Sequence, residues 1–157
     1  MDSSWNARPY ITGTNLTTFP VKHIVIRQLR DFNSSIHQSN YIKTTTDLQD
    51  GQMDERRWAD IGYSFFICGD NNDAQQVYRG RGWKYVGAHC LGYNFKSLGI
   101  GIIRNYTNIK CLNAFKSLIQ CGITQNDIVK NFTLVGDLES IDIYEYYLKY
   151  FKNNTDL

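Results

Sequence analysis

Residues 21–29 read Val-Lys-His-Ile-Val-Ile-Arg-Gln-Leu and directly follow Pro20. The apolar residues at the centre of this stretch are β-branched and adjacent, a pattern typical of a strand with both faces buried. The stretch therefore predicts an interior strand of a sheet.

Three further stretches predict strands. Residues 63–68 form an aromatic and apolar run that ends in the turn cluster 69–73, and residues 77–79 resume as a short strand. Together they predict a hairpin with a long connection. Residues 97–104 alternate apolar residues with Gly99 and Gly101, which predicts a strand whose glycine face is approached closely by other groups.

Helical periodicity is found mainly in the second half of the chain. A stripe formed by Leu112, Phe115, Leu118 and Ile119 predicts a helix that ends at Gly122. Thr124 and Asp127 resemble a capping box that opens another short helix. Residues 138–152 predict a terminal packing helix, and residues 33–56 are interpreted as helical. Interleaved strands and helices, without repeats, predict an α/β or mixed α+β fold with one domain over residues 1–157.

Length and composition exclude several classes of protein. The chain has 157 residues, of which 42% are hydrophobic and 20% charged, and its net charge is +2. A disordered tail and a polybasic nucleic-acid-binding arm are disfavoured, so we expect no nucleic-acid partner. No apolar run is long enough to cross a bilayer, and the first residues do not form a signal peptide.

Glycosylation motifs indicate an extracellular location. Five Asn-x-Ser/Thr triplets begin at Asn15, Asn33, Asn105, Asn131 and Asn153. Loops rich in Asn and Thr also produce such triplets without any glycan, and this alternative stays open. If the triplets are used, we expect a secreted glycoprotein or a membrane-receptor ectodomain, with a signal or membrane anchor upstream of Met1.

The cysteines fit an oxidising compartment. Cys68, Cys90, Cys111 and Cys121 allow three complete pairings. If residues 109–121 form one helix, Cys111 and Cys121 lie about 15 Å apart and cannot bond to each other. Cys68 or Cys90 then remains as the partner of each of them, or the thiols are free. The chain has no CxxC motif, which disfavours a zinc ribbon or a thioredoxin-type motif.

Seven segments of the sequence resemble those of a known protein family, and they occur in the same order and with similar spacing. They are Trp5-Asn6-Ala7-Arg8-Pro9, Pro20-Val21, Trp58-Ala59-Asp60-Ile61-Gly62-Tyr63-Ser64-Phe65, Val77-Tyr78-Arg79-Gly80-Arg81-Gly82-Trp83, Gly87-Ala88-His89, Gly92-Tyr93-Asn94 and Ser97-Leu98-Gly99-Ile100. Across residues 5–136 the chain resembles the peptidoglycan recognition proteins, which are related to zinc-dependent N-acetylmuramoyl-L-alanine amidases. Within that family it is most similar to the ectodomain of an insect membrane receptor. The resemblance implies a central mixed β-sheet flanked by helices, with a groove that holds a muropeptide.

The zinc ligands of the catalytic relatives are not found at the corresponding positions. Those relatives hold zinc with two histidines and a cysteine, whereas Gln28 stands at the first histidine position and Asp137 replaces the second. The loop that would carry the cysteine is too short to align, and only Tyr63 of the catalytic set is kept. His23, His37 and His89 do not occupy ligand positions. We therefore expect no bound metal, no cofactor and no amidase activity.

The resemblance does assign residues to a ligand groove. Arg56, Tyr63 and His89 fall at positions that contact the peptide stem, with Tyr93 and Asn94 beside them. Each has a plain structural alternative, namely a core tyrosine, a loop-bonding histidine or a solvated arginine. Arg104 is a further candidate for binding a ligand carboxylate.

Two departures from the family pattern predict a blocked groove. Members that prefer diaminopimelate-type stems usually carry Gly-Trp where this chain has Arg57-Trp58, so a long cation replaces a bare backbone. A polar insertion also lengthens the hairpin connection, and it comprises Asn71, Asn72, Asp73, Ala74, Gln75 and Gln76.

The leading hypothesis is a non-catalytic immune receptor ectodomain that pairs with a related domain loaded with a peptidoglycan fragment. The alternatives are an autonomous muropeptide-binding receptor and a zinc-dependent amidase.

Overall fold

The computed structural model describes residues 5–29, 41–67, 77–103, 109–136, 145 and 148–152. Within these ranges five strands form one sheet: β1 (Val21–Gln28), β2 (Phe65–Ile67), β3 (Val77–Arg79), β4 (Ser97–Ile102) and β5 (Ile128–Gly136). Two α-helices accompany them, α1 (Tyr41–Asp50) and α2 (Ile109–Thr124). A π-helical turn, Gly51–Glu55, continues α1, and a second one spans Leu148–Lys152.

The sheet is mixed, as predicted, and β1 lies inside it. The strand order is β3-β2-β4-β1-β5, with β1 parallel to both β4 and β5. β2 runs parallel to β4 and antiparallel to β3, so the predicted hairpin is confirmed. Ile24, Val25 and Ile26 are almost completely buried, which explains why that apolar run reads as an interior strand.

Two apolar clusters hold the sheet in place. On one side the α2 stripe, with Phe115, Leu118 and Ile119, packs in the larger cluster together with Ile100 and Ile102. A smaller cluster joins the N-terminal segment to the hairpin. Its buried members are Trp5, Ile61, Phe66, Tyr78 and Ile103.

The end of α2 differs from the prediction. The helix passes through Gly122, whose missing side chain leaves room for Ile128 and Trp83, and ends at Thr124. Asn126 has φ +60 and Asp127 N–H bonds to the Gly122 carbonyl at 2.8 Å, so an asparagine terminates the helix. The predicted capping box is therefore wrong: Asp127 lies at the turn into β5, a strand that the sequence did not reveal.

The remaining helical predictions are only partly covered by the described residues. Helix over 33–56 is confirmed for residues 41–55, and Arg56 follows the end of the helical turn. Residues 33–40 lie outside the described residues. Of the predicted helix 138–152, the described part contains the turn Leu148–Lys152. Within the described chain, neither helix is both long and apolar enough to span a bilayer.

Candidate functional site

The first group of predicted groove residues follows the π-helical turn after α1, and we call Arg56, Arg57 and Trp58 the wall. Arg56 closes the turn with φ −88, and its N–H bonds to the Gly51 carbonyl at 3.3 Å. Arg57 then takes φ +54, a left-handed conformation that favours glycine. The Trp58 N–H bonds to the Gln52 carbonyl at 3.0 Å, which turns the chain back toward the sheet.

The wall presents cations and an aromatic ring together. Both arginines are exposed and Trp58 is half-buried. The Arg56 guanidinium carbon lies 5.4 Å from the centre of the Trp58 ring, within the range of a cation–π contact. Trp58 packs onto Gly62, where a Cβ would come within 2.9 Å of the ring. A flat apolar surface with an adjacent guanidinium is suited to a ligand that carries a carboxylate.

The second group consists of a buried hydrogen-bonded pair, His89 and Ser97, and the half-buried Tyr63 beside it, and we call these three residues the floor. His89 Nε2 lies 2.8 Å from Ser97 Oγ, and the Ser97 hydroxyl donates to the Tyr93 carbonyl at 2.8 Å. Since that hydroxyl has one proton, His89 Nε2 carries the proton of the first bond and Nδ1 is left as an acceptor. The Tyr63 ring lies 6.4 Å from the His89 ring, so the structure brings these two predicted residues together.

Burial keeps His89 neutral. Only 7% of His89 is exposed, and this burial lowers the pKa of its imidazole to about 4. The Gly62 carbonyl raises this pKa, while the positive charges of Arg81 and Arg27 lower it further. Nδ1 has no hydrogen-bond partner among the described residues, and burial is the main cause of the lowered pKa. At neutral pH His89 offers a polar, uncharged surface.

Two glycines make the space for the His89 ring. A Cβ at Gly99 in β4, or at Gly87 in the preceding loop, would overlap that ring. This confirms the prediction that other groups approach the glycine face of β4 closely. Sequence reasoning missed Ser97 as the partner of His89, although a serine that opens an otherwise apolar strand is itself a sign of a buried hydrogen bond.

Tyr93 and Asn94 lie in the loop that leads from His89 to β4. The Asn94 side-chain oxygen accepts hydrogen bonds from the backbone N–H groups of His89 and Cys90, at 2.9 and 2.8 Å. The Tyr93 ring meets the His23 ring edge-on at 5.5 Å and lies 4.9 Å from the Lys96 ammonium. Asn94 thus holds the loop against the floor, a role that the sequence did not predict.

Several predicted residues lie outside the described part of the chain: Arg104, the insertion 71–76, and the asparagines Asn33, Asn105 and Asn153. The other two glycosylation candidates, Asn15 and Asn131, are exposed. Cys90 and Cys121 are free thiols, and the Cys111 sulfur is disulfide-bonded. A bond between Cys111 and Cys121 is therefore absent, as the helix geometry predicted.

Of the positions that correspond to zinc ligands in the related amidases, the described residues include Gln28. Gln28 lies at the end of β1, where its neighbour strand β5 ends at Gly136, and an amide is a poor zinc ligand. In the described ranges no three His, Cys, Asp or Glu side chains come together in a way that could hold a metal. Asp137 lies outside these ranges.

Comparison with known proteins gives a consistent picture. No family model matches the chain. The chain is 33% identical over 138 residues to peptidoglycan-recognition protein SC2 of Drosophila simulans, covering 85% of this chain and 72% of that protein. It is 41% identical over 98 residues to a peptidoglycan recognition protein of Trichoplusia ni, and there it spans 52% of the relative's length. An N-acetylmuramoyl-L-alanine amidase of Mus musculus is 37% identical over 94 residues, which cover 57% of this chain and 17% of that enzyme.

Two solved structures are similar over most of the chain. Peptidoglycan recognition protein LE in complex with tracheal cytotoxin, a monomeric diaminopimelic acid-type peptidoglycan, has a TM-score of 0.72 and 33% identity, covering 85% of this chain and 78% of that one. The second structure is tracheal cytotoxin bound to the ectodomain complex of PGRP-LCa and PGRP-LCx. It has a TM-score of 0.75 and 29% identity, covering 93% of this chain and 92% of that one.

Proposed function

Because this chain belongs to the peptidoglycan recognition protein family, we propose that it is the ectodomain of an innate-immune receptor that senses diaminopimelate-type peptidoglycan fragments. The observation that carries the proposal is the joint presence of floor and wall. Tyr63 and His89 face each other at 6.4 Å, and Arg56 lies over Trp58 at 5.4 Å. A peptide stem bound here would contact the neutral, polar His89 in the floor. The Arg56 guanidinium in the wall would pair with the carboxylate of the stem.

We further propose that the groove is obstructed and that the domain acts as a co-receptor. Arg57 places an exposed side chain at the point where the related diaminopimelate binders carry glycine, and its backbone keeps the glycine-like φ of +54. The insertion 71–76 adds six residues, most of them polar, to the hairpin connection. The complex of PGRP-LCa with PGRP-LCx supports pairing of two related domains around one fragment.

Titration with tracheal cytotoxin tests this proposal. The isolated domain is expected to show no binding at concentrations that saturate an open-groove relative, yet to associate with that relative once it is loaded. Shortening residues 71–76 to a two-residue turn together with Arg57→Gly should restore binding, and Arg57→Gly alone serves as the matched control. Micromolar binding by the unmodified domain would replace the co-receptor with an autonomous receptor, which the intact floor also favours.

We propose that the domain is not an enzyme, because Gln28 occupies the first ligand position of the related amidases. Elemental analysis of the purified protein should find no stoichiometric zinc, and peptidoglycan should remain uncut when zinc is added. Reproducible zinc-dependent cleavage of the lactyl-amide bond would overturn this part.

The extracellular location is proposed from the glycosylation motifs. Asn15 and Asn131 are both exposed, so each can carry a glycan. Expression through a secretory pathway should give a mass that falls on glycosidase treatment, and Asn15→Gln combined with Asn131→Gln should remove part of that change. An unchanged mass in the unmodified protein would withdraw this support.

A further inference from the structure

A cavity of about 280 Å³ lies between the N-terminal segment and the hairpin, apart from the floor and the wall. Its lining includes Trp5, Tyr10, Asp60, Arg79, Arg81 and Tyr85. We propose that this cavity binds a small ligand in which a carboxylate is attached to a six-membered ring. The site is separate from the muropeptide groove, so it does not depend on the function proposed above.

The walls of the cavity are held by specific hydrogen bonds. The Arg8 backbone is bonded on both sides to the buried Gln49 side chain, with its N–H donating to Oε1 at 2.8 Å and its carbonyl accepting from Nε2 at 3.1 Å. The Trp5 indole N–H donates to the Arg79 carbonyl at 2.7 Å, and the Ile11 N–H to the Ala59 carbonyl at 2.8 Å. The cavity is therefore pre-formed, which lowers the cost of binding.

The charges around the cavity leave one guanidinium available. Arg8 is paired with Asp50 and Asp54, at 2.9 Å each. Arg81 donates to the carbonyls of Val86 and Asp60, at 2.7 and 3.0 Å. Burial lowers the pKa of its guanidinium, and the Asp60 charge opposes that shift only in part. Among the described residues Arg79 has no ion-pair partner, and its side chain is exposed. A guanidinium of this kind recognises a carboxylate through two parallel hydrogen bonds.

The ring specificity comes from the aromatic side of the cavity. The ring centres of Tyr10 and Tyr85 lie 5.8 Å apart, and the two ring planes are inclined at 39°. Tyr10 is 55% exposed. Asp60 Oδ1 already accepts from Gln49 Nε2 and from the Ile61 N–H, at 2.8 and 2.6 Å. Its second oxygen remains as an acceptor for a ligand hydroxyl. Flat faces beside a cation and an acceptor suit an aromatic acid or a sugar acid.

Binding of simple probes to the intact domain tests this proposal. Benzoate represents the aromatic acids and glucuronate the sugar acids, with benzamide and glucose as neutral counterparts. We expect millimolar or tighter binding of at least one acid, and at least tenfold weaker binding of its neutral counterpart. The probe that binds identifies the source of the carboxylate, and binding of both acids also supports the proposal.

The three tryptophans localise the ligand by NMR. The indole N–H of Trp5 should shift on binding, whereas those of Trp58 and Trp83, which do not line the cavity, should not. Arg79→Gln should weaken acid binding at least tenfold. Lys22→Gln, which removes a charge from an exposed position outside the cavity, should leave it unchanged. Absence of binding by both acids at 10 mM, equal binding of the neutral probes, or an unaffected Arg79→Gln variant would overturn the proposal.

Discussion

The floor around His89 and the wall after α1 are held by different forces. His89 is 7% exposed, and its ring is enclosed by Gly87, Gly99 and a hydrogen bond to Ser97. The wall lies on a turn whose two arginines are exposed, and Arg56 lies over the Trp58 ring. Packing therefore fixes the floor, whereas the two exposed arginines of the wall can vary in charge and size without loss of the fold. We therefore expect substitutions in the wall, rather than in the floor, to change which ligand the domain prefers.

The largest effect is expected from Gly99→Ala in the floor. The added methyl group would overlap the His89 ring at a fully buried position of β4, which should lower the free energy of unfolding by about 3 kcal/mol. Gly51→Ala is the matched control, since its Cβ would meet no atom within 4 Å. Denaturant unfolding measures both variants. Equal stabilities for the two would show that the floor is not tightly packed.

A pH dependence should arise from the same floor. The pKa of His89 is about 4 in the folded protein and 6.5 ordinarily, so the unfolded chain binds more protons between these values. The contribution of the neutral His89 side chain to the free energy of unfolding is fully present above pH 6.5. It is lost as the pH falls through 4. The loss should approach about 3 kcal/mol at about 1.4 kcal/mol per pKa unit.

Two measurements separate this effect from the titration of carboxylates. NMR of the His89 ring should show a mostly neutral imidazole above pH 5, with its midpoint near pH 4. The His89→Gln variant should lose the decline in stability between pH 6.5 and 5, because an amide does not titrate. A ring that titrates near its ordinary pKa would mean that the floor admits water.

The smallest change in the free energy of unfolding is expected at the wall. Its sign should differ between the adjacent residues Arg56 and Arg57. Arg57→Gly should raise the free energy of unfolding by about 1 kcal/mol, because the φ of +54 is strained for a residue with a Cβ. Arg56→Gly should lower it by about 0.5–1 kcal/mol, because Arg56 has a helical φ of −88. Thermal unfolding of the pair is the measurement. The same sign for both would contradict the backbone argument.

Most strands of the sheet were predictable from the sequence, and the site was predictable in part. The runs at 21–29, 63–68 and 77–79 were recognised because burial selects adjacent or alternating apolar residues. Strand β5 was missed because its register with β1 shifts between Val21 and His23, where a bulge interrupts the alternation of period two. Tyr63 and His89 were assigned by resemblance, whereas the roles of Ser97 and Asn94 depend on contacts that no local pattern encodes.

The sequence by itself determined the mixed fold class, the α2 stripe and the presence of arginine at positions 56 and 57, because these follow from residue type and short-range periodicity. Only the tertiary structure decided that Asn126 ends α2, that Arg57 adopts a positive φ and that His89 stays neutral. Each of these depends on groups distant in the chain: the fit of Gly122 against Ile128, the bond from Trp58 to Gln52, and the burial of His89 under β4. Local sequence specifies which surfaces are apolar, but the packing of distant segments sets backbone strain and desolvation.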